Sequence, residues 1–335
     1  MVMALPGRGD FGGAALAGSR RVDVAEFLDS RPILGLHREG TYFWGTLHDD
    51  RGAATSYMRR IPAEGAEAGG GGGLSLGGRL IVMSNSDAQD LVVRPEPRLA
   101  VSSDDVRRAT DGAEATFKGD ADGRSGMYLR TDGDQLTYSE DGVLELSGHR
   151  VGPGLHWYLP GTSGALYYPT QTWLVDGHAL GRQVRGFLFI EEAFMLPEGR
   201  LYVDKDPLHD AEYLTWYSWA TRWEDGELEF GHFLFGQGRF HVGLVANADG
   251  RVKAASSMDL VVQREADGYW HEGIKLTMDE EEWELVPDPA GRMQLGNIPN
   301  PQQEGLMRRV GEARTPDVWM AWGETVPKNG ERRSR

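Results

Sequence analysis

Asp-Gly occurs eight times in the chain, at Asp111, Asp122, Asp132, Asp141, Asp176, Asp225, Asp249 and Asp267, each followed by its glycine. The dipeptide supplies the positive backbone φ that a two-residue type I′ hairpin requires, and between alternating apolar residues it is the strongest local hairpin signal. A chain punctuated this often has little room for long helices. The segments between the turns alternate as strands do: Met127–Leu129, Leu136–Tyr138 and Val143–Leu146 in one series, Leu228–Leu234, Phe240–Ala246 and Met258–Gln263 in another. Helical patterns are limited to Val22–Leu28 and to Asp104–Ala109 behind an N-cap at Ser102 or Ser103. The expected fold is all-β, made of short antiparallel strands in a sandwich or barrel.

A length of 335 residues is about two domains at roughly 150 residues each. The 46 glycines are about twice the usual share. Beyond the Asp-Gly turns they gather at Gly69–Gly73, with Gly77 and Gly78 close by. Strand-like sequence on both sides, Tyr42–Leu47 and Leu80–Met83, makes this a long flexible hairpin loop. It is not a phosphate cradle, since no Gly-Lys-Ser/Thr follows and no helix begins there. Residues 1–20 and 327–335 are expected to be disordered. GLHREGTYFWGTLHDDRG from Gly35 and AEYLTWYSWATRWEDG from Ala211 both set aromatic strand residues before an acidic turn, as a duplicated barrel would.

A net charge of −16, from 35 basic and 51 acidic side chains, repels phosphate backbones and anionic membrane surfaces, so no nucleic-acid partner is expected. The absence of cysteine excludes disulfides, iron–sulfur clusters, Cys-based zinc sites and thiol nucleophiles. No stretch approaches the length of an apolar membrane helix and the first twenty residues lack a signal-peptide pattern, which points to a cytoplasmic protein with no integral membrane segment. Oligomeric state is left open.

The most unusual segment is VRGFLFIEEAFML, Val184–Leu196, where two adjacent carboxylates interrupt an apolar run. In a strand, Glu191 shares a face with Phe187 and Phe189, and Glu192 shares the other with Leu188 and Ile190. One of them should point into a core or cavity, where desolvation raises its pKa toward the range of a general acid. Two other arrangements remain open: a strand ending near Ile190 with both glutamates in a solvated turn, or ion pairing with an arginine such as Arg182 or Arg185.

Tyr213, Tyr217, Trp219 and Trp223 fall on one face of a second aromatic strand, and Trp216 takes the other with Leu214. Such density either fills a large β core or lines a pocket for a large apolar ligand. His232 and His241 stand on successive strands across a turn at Gly236–Gly238, but a metal site needs three or four ligands and no His-Glu-x-x-His exists, so no metal is expected. His156, beside Trp157 and Tyr158, and His209 are further candidate bases. Serine-hydrolase chemistry lacks its Gly-x-Ser-x-Gly elbow, and nucleotide-binding motifs lack their βαβ context.

The segment Leu155–Met195 resembles the central segment of the AttH-like and carotenoid-hydratase-like family, which also takes in fungal lipocalin-like Diels–Alderases. The matching text is Asp176-Gly177, then Val184-Arg185-Gly186, then Phe189-Ile190-Glu191-Glu192-Ala193-Phe194. Phe189 and Phe194 stand where that family has tryptophans and Glu191 where it has Asp or Glu, whereas Glu192 and Ala193 depart from its pattern. A similar look continues through Trp223-Glu224-Asp225-Gly226 to Trp319, Trp322 and Glu324, so that the resemblance spans residues 35–326. It implies two tandem calycin or lipocalin-like barrels, here 30–190 and 191–326, and cofactor-independent hydration, isomerisation or cyclisation of a hydrophobic, unsaturated small molecule.

Together these readings give Glu191 and Glu192 as acid/base candidates and Trp216, Tyr217, Trp219, Trp157 and Phe189 as apolar walls, with His232 or His241 as a polar anchor. No cofactor is expected. A carrier of a hydrophobic ligand, with all pocket carboxylates ion-paired or in solvent, is the alternative, and a tandem barrel with a filled interior is a third.

Overall fold

The computed structural model describes residues 16–20, 31–63, 78, 80–86, 89–112, 114–120, 123–124, 126–160, 164–201, 214–236, 240–294 and 300–325. The first half holds β1 (Leu16–Arg20), β2 (His37–His48), β3 (Ala54–Pro62), β4 (Ile81–Ser84), β5 (Leu91–Val93), β6 (Val106–Asp111), β7 (Glu114–Gly119), β8 (Met127–Asp132), β9 (Gln135–Glu140), β10 (Leu144–Arg150), β11 (Gly154–Leu159), β12 (Leu166–Ala179) and β13 (Arg182–Met195). The second holds β14 (Leu214–Trp223), β15 (Leu228–Gly236), β16 (His241–Asn247), β17 (Val252–Ala254), β18 (Met258–Arg264), β19 (His271–Met278), β20 (Glu281–Gln294), β21 (Gln302–Arg309) and β22 (Pro316–Thr325).

In the first half the antiparallel ladder runs β6-β7-β8-β9-β10-β12-β13-β2-β3-β4-β5. The far end of β12 pairs instead with β11, which carries β1. The second ladder runs β17-β16-β15-β14-β22-β21-β20-β19-β18. A short parallel pairing, Met293 beside Leu91, joins β20 to β5.

Each sheet curls round its own core. Phe43, Tyr57, Phe117, Leu129, Tyr138, Leu188 and Ile190 fill the first, and Tyr217, Trp219, Phe233, Leu260, Ile274 and Trp283 fill the second. The first is also plugged by a buried Arg59–Glu140 pair, which Tyr138 caps by donating to Glu140. Arg108 of β6 draws the first sheet round by donating to the carbonyls of Ile61 and Pro62 at the end of β3, and β18 returns against β15 and β16 in the second. This is the expected all-β arrangement of two barrel-like sheets.

The glycine of every Asp-Gly has positive φ, but one of the eight is not a turn. Gly177 lies inside β12, where a Cβ would stand 2.0 Å from the Glu145 carbonyl oxygen, so it serves close strand approach. The β12–β13 turn comes four residues later, with Leu180 at φ 49° and Gly181 at φ 76°. The helix expected at Asp104–Ala109 shrinks to a single 3-10 turn, Ser103–Asp105, with Ser102 accepting from the Asp104 N–H as its N-cap. Cross-strand pairing of Val106–Asp111 with β7 wins over the weak local helix signal. Leu16–Arg20, expected to be disordered, is strand β1, held along β11 from Tyr158 to Gly154. The junction expected at residues 190 and 191 falls inside β13, which stays paired with β2 and β12 as far as Met195. Residues 1–15, the Val22–Leu28 segment, the Gly69–Gly73 stretch and residues 327–335 lie outside the described residues.

A third apolar layer lies between the sheets. Trp44, Phe187, Phe189, Trp157 and Tyr168 from the first half meet Trp216, Phe230, Leu234, Met320 and Trp322 from the second. Both sheets are therefore apolar on two faces, and each covers the other's second face. Carboxyl groups are buried in this layer as well. Glu304 of β21 is fully buried and accepts from Thr46 of β2, while its Oε2 has no hydrogen-bond partner among the described residues. Burial pushes it up from 4.5 to about 8, against the pull of Thr46.

The sign of the resulting pH dependence follows directly. Below about pH 4.5 Glu304 is neutral in both folded and unfolded chains; as pH rises toward about 8 only the unfolded chain releases the proton, so stability falls, by at most about 5 kcal/mol. Glu304→Gln stays neutral and keeps an acceptor for Thr46. Urea denaturation across that window is expected to show a shallower decline for this variant than for the wild type.

Candidate active site

Alternation along β13 turns Phe187, Phe189 and Glu191 toward the second sheet, and Leu188 and Ile190 into the first core. Register then sets the neighbours. Glu191 lies between Tyr42 of β2 and Thr170 of β12, and Phe189 lies beside Trp44.

Four donors converge on the Glu191 carboxyl. Oε2 accepts from the Trp44 indole N–H at 2.5 Å and the Tyr168 hydroxyl at 2.6 Å. Oε1 faces the Thr170 hydroxyl at 3.1 Å and, from across the interface, the Ser218 hydroxyl of β14 at 3.4 Å. Ser218 is also 2.8 Å from Nδ1 of His232 on β15. Glu191 is 1 % exposed and, among the described residues, no cation is paired with it. Burial raises its pKa from 4.5 to about 7, and the four hydrogen bonds offset only part of that rise. His232 is pushed the other way by burial, to about 3, and is neutral at ordinary pH.

Glu191 opens on a cavity of about 50 Å³ between the sheets. Its first-half wall includes Tyr42, Trp44 and Tyr168, and its second-half wall Trp216, Trp322, Gln302 and a second carboxylate, Glu324. Trp44 stacks on Phe189 with ring centroids 5.0 Å apart and meets Trp322 edge-on at 5.1 Å. Trp157 lies behind the wall, against Tyr168 and Trp216. Asn300 donates to Glu324 Oε2 at 2.9 Å, and the Trp322 indole donates to Gln302. The walls are thus aromatic, with two carboxyl groups and a few placed amides and hydroxyls.

Of the residues singled out from the sequence, the interface gathers Glu191, Trp216, Phe189, Trp157 and His232. It does not gather the rest. Glu192 faces away, held by Arg38 at 2.5 Å and Thr41 at 2.9 Å, with burial raising its pKa and Arg38 opposing. Neither solvated-turn glutamates nor pairing with Arg182 or Arg185 occurs: both glutamates are buried, and those arginines bind Asp49 and Asp317. Tyr217 and Trp219 point into the second core, where Tyr217 bonds His271 and Trp219 tilts on Trp283. Ladder register separates the two hairpin histidines, His232 opposite Leu244 and His241 opposite Phe235. His156 bonds the Tyr167 hydroxyl, and His209 and Tyr213 lie outside the described residues. Among the described residues no group of three His, Asp or Glu side chains is placed to hold a metal ion, and no helix is long and apolar enough to cross a membrane.

Trp44, Tyr168, Ser218, Gln302 and Glu324 were not singled out as site residues from the sequence. Tyr42-x-Trp44-x-Thr46 does carry a period-two signal, but nothing local says that this face meets Glu191.

No protein-family model matches the chain, and no curated protein matches it. Among solved structures it is similar to a protein of Nitrosomonas europaea assigned as an AttH, with 13% identity, 92% of this chain and 99% of the other covered, and a TM-score of 0.48. It is similar also to CghA with Sch210972 (11% identity, 85% and 87% covered, TM-score 0.46) and to kievitone hydratase from Nectria haematococca (7%, 91% and 95%, 0.41). The first carries the name of the family that the Leu155–Met195 segment resembles.

Trp44→Phe and Tyr168→Phe each remove a donor that favours the ionised carboxylate. A hydrogen bond to a charged group contributes about 1.5 kcal/mol or more, so the Glu191 midpoint should climb above about 7 by about one pH unit in either variant. A carbon-13 titration of the glutamate carboxyls measures it.

Proposed function

We propose that the protein is a cofactor-independent enzyme that acts on a hydrophobic, unsaturated small molecule between its two sheets, with Glu191 as general acid. The observation that carries this reading is a wholly buried carboxyl, unpaired with any described cation, whose pKa of about 7 keeps a large neutral fraction at physiological pH while it faces an aromatic-walled cavity. A general acid works best when its pKa lies near the operating pH.

The chemistry can be written with its protons accounted for. Glu191 gives its proton to one carbon of a double bond, and the cation formed at the other carbon lies among the faces of Trp44, Trp216 and Trp322. Loss of a different proton back to the Glu191 carboxylate completes an isomerisation. Attack by water, with Glu324 taking the water's proton, completes a hydration. In either case the aromatic walls exclude bulk solvent and hold the reacting conformer, which by itself lowers the barrier by several kcal/mol.

The carrier reading requires every pocket carboxylate to be ion-paired or in solvent. Glu191, buried and unpaired with any described cation, does not meet that condition. The filled-interior reading, which expects no ligand-sized cavity, describes the cores inside each sheet, and between the sheets it leaves the four-donor setting of the Glu191 carboxyl without a role. A volume of about 50 Å³ has room for only one or two waters, so substrate entry requires the wall to part, and Met58 is its adaptable member.

Turnover of polyunsaturated and polyene substrates by the purified protein, followed by loss of ultraviolet absorbance, tests the proposal. Glu191→Gln is expected to lower kcat by at least about 100-fold with the fold intact. Glu324→Gln should do so for hydration and spare isomerisation. Undiminished turnover in Glu191→Gln would overturn the assignment.

A further inference from the structure

Trp44 is a donor only, and with Tyr168 it delivers two hydrogen bonds to Oε2 of Glu191. The indole N–H can only donate, which makes Oε2 a poor place for a proton, whereas the hydroxyls at Oε1 can turn to accept, so the acid form of Glu191 carries its hydrogen on Oε1. That oxygen faces Thr170 and Ser218, and Ser218 has a single hydroxyl hydrogen to share between Glu191 and His232 Nδ1. His232 is wholly buried and its other ring nitrogen, Nε2, has no hydrogen-bond partner among the described residues.

Two arrangements run through Ser218 and satisfy its one hydroxyl hydrogen. With Glu191 ionised, Ser218 donates to Oε1, and its oxygen accepts from His232 Nδ1–H, so Nε2 is bare. With Glu191 neutral, Oε1–H donates to the Ser218 oxygen, the serine hydroxyl turns to Nδ1, and the imidazole hydrogen sits on Nε2. A neutral imidazole has one hydrogen on either nitrogen, and which one is set by the hydrogen bond at the other.

We propose that Glu191, Ser218 and His232 form one hydrogen-bonded chain across the interface of the two sheets, in which the protonation of Glu191 sets the tautomer of His232. His232 is then a positioning residue: it acts through Ser218 on the acid and touches no substrate. The proposal concerns the same carboxyl as the acid reading above, but it does not require that reading's reaction. The chain joins β13 of one half to β14 and β15 of the other, so the acid is complete only when the sheets are docked.

The other titratable or charged groups that face Glu191 are Tyr168 from β12, Tyr42 from β2 with Glu39 and Arg60 behind it, and Glu324 from β22. Tyr42 stays neutral in the range concerned, because burial raises its pKa further, and Tyr168 is a donor to the carboxyl. Glu304 lies further along β21, against Thr46.

The experiment follows His232 by nitrogen-15 NMR of histidine-labelled protein on either side of the Glu191 midpoint near 7, with the Glu191 carboxyl followed by carbon-13 in the same samples. The expected result is an Nε2–H tautomer below the midpoint and Nδ1–H above it, with the two titrations coincident. Glu191→Gln is expected to hold His232 as Nε2–H throughout, since Trp44 and Tyr168 fix the amide oxygen at the Oε2 position and leave the NH2 group facing Ser218. Ser218→Ala should uncouple the pair, leaving His232 insensitive to pH while Glu191 titrates at a higher midpoint.

A wild-type His232 tautomer that does not change while Glu191 titrates would overturn the proposal and direct the acid O–H at the Thr170 hydroxyl instead. Continued switching in Ser218→Ala would overturn it as well. If Ser218→Ala does not fold, the comparison of wild type with Glu191→Gln decides the matter. Because no substrate is involved, a Glu191→Gln variant with full turnover would defeat the acid reading and leave the tautomer result standing.

Discussion

The structure depends on a sheet having two faces. In both halves of this chain the strands carry apolar side chains on each face, and curling a sheet round its own core buries only one. The outer faces leave water only by packing on one another. That third layer holds Trp44, Phe187 and Phe189 against Phe230, Met320 and Trp322, with some side chains offering 150–250 Å² each for burial. Everything polar that lies in this layer is therefore withdrawn from water by a packing decision made elsewhere.

The consequence for Glu191 is a carboxyl that cannot ionise cheaply and has been given donors in place of a counter-charge. Its neighbour on the chain shows the contrast. Glu192 points into the first half, where burial also raises its pKa but the Arg38 and Arg108 guanidinium groups oppose the rise. Glu304 repeats the Glu191 arrangement at a second place in the same layer, with hydroxyls from Thr46 and Ser56 and no described cation. Two neutral-leaning acids between the sheets make docking itself sensitive to alkali, whereas the Arg59–Glu140 plug inside the first core is an ion pair of the ordinary buried kind.

Much of the fold was legible in the sequence because turns are local. Asp-Gly permits a backbone conformation that few other dipeptides adopt, and seven of the eight mark strand ends. The exception, Gly177, has the same dipeptide signal but a different cause, since its missing Cβ makes room for the Glu145 carbonyl across the ladder. That contact is long-range and leaves no local trace. The 3-10 turn at Ser103–Asp105 is a similar case: the N-cap at Ser102 was readable, but the length of the helix was decided by β7.

The candidate site divides along the same line. By itself the sequence determined that Glu191 and Glu192 lie on opposite faces of a strand, with Glu191 sharing its face with Phe187 and Phe189, because alternation is a property of the extended backbone. It likewise separated Trp216 from Tyr217 and Trp219. Only the tertiary structure decided which glutamate meets a cation and which meets only uncharged donors. Arg38 reaches Glu192 across 154 residues, while Trp44, Tyr168 and Ser218 reach Glu191 from three different strands and from both sheets. A pKa is set by what surrounds a group in space, and in a β protein those surroundings are fixed by ladder register and by the docking of one sheet on another.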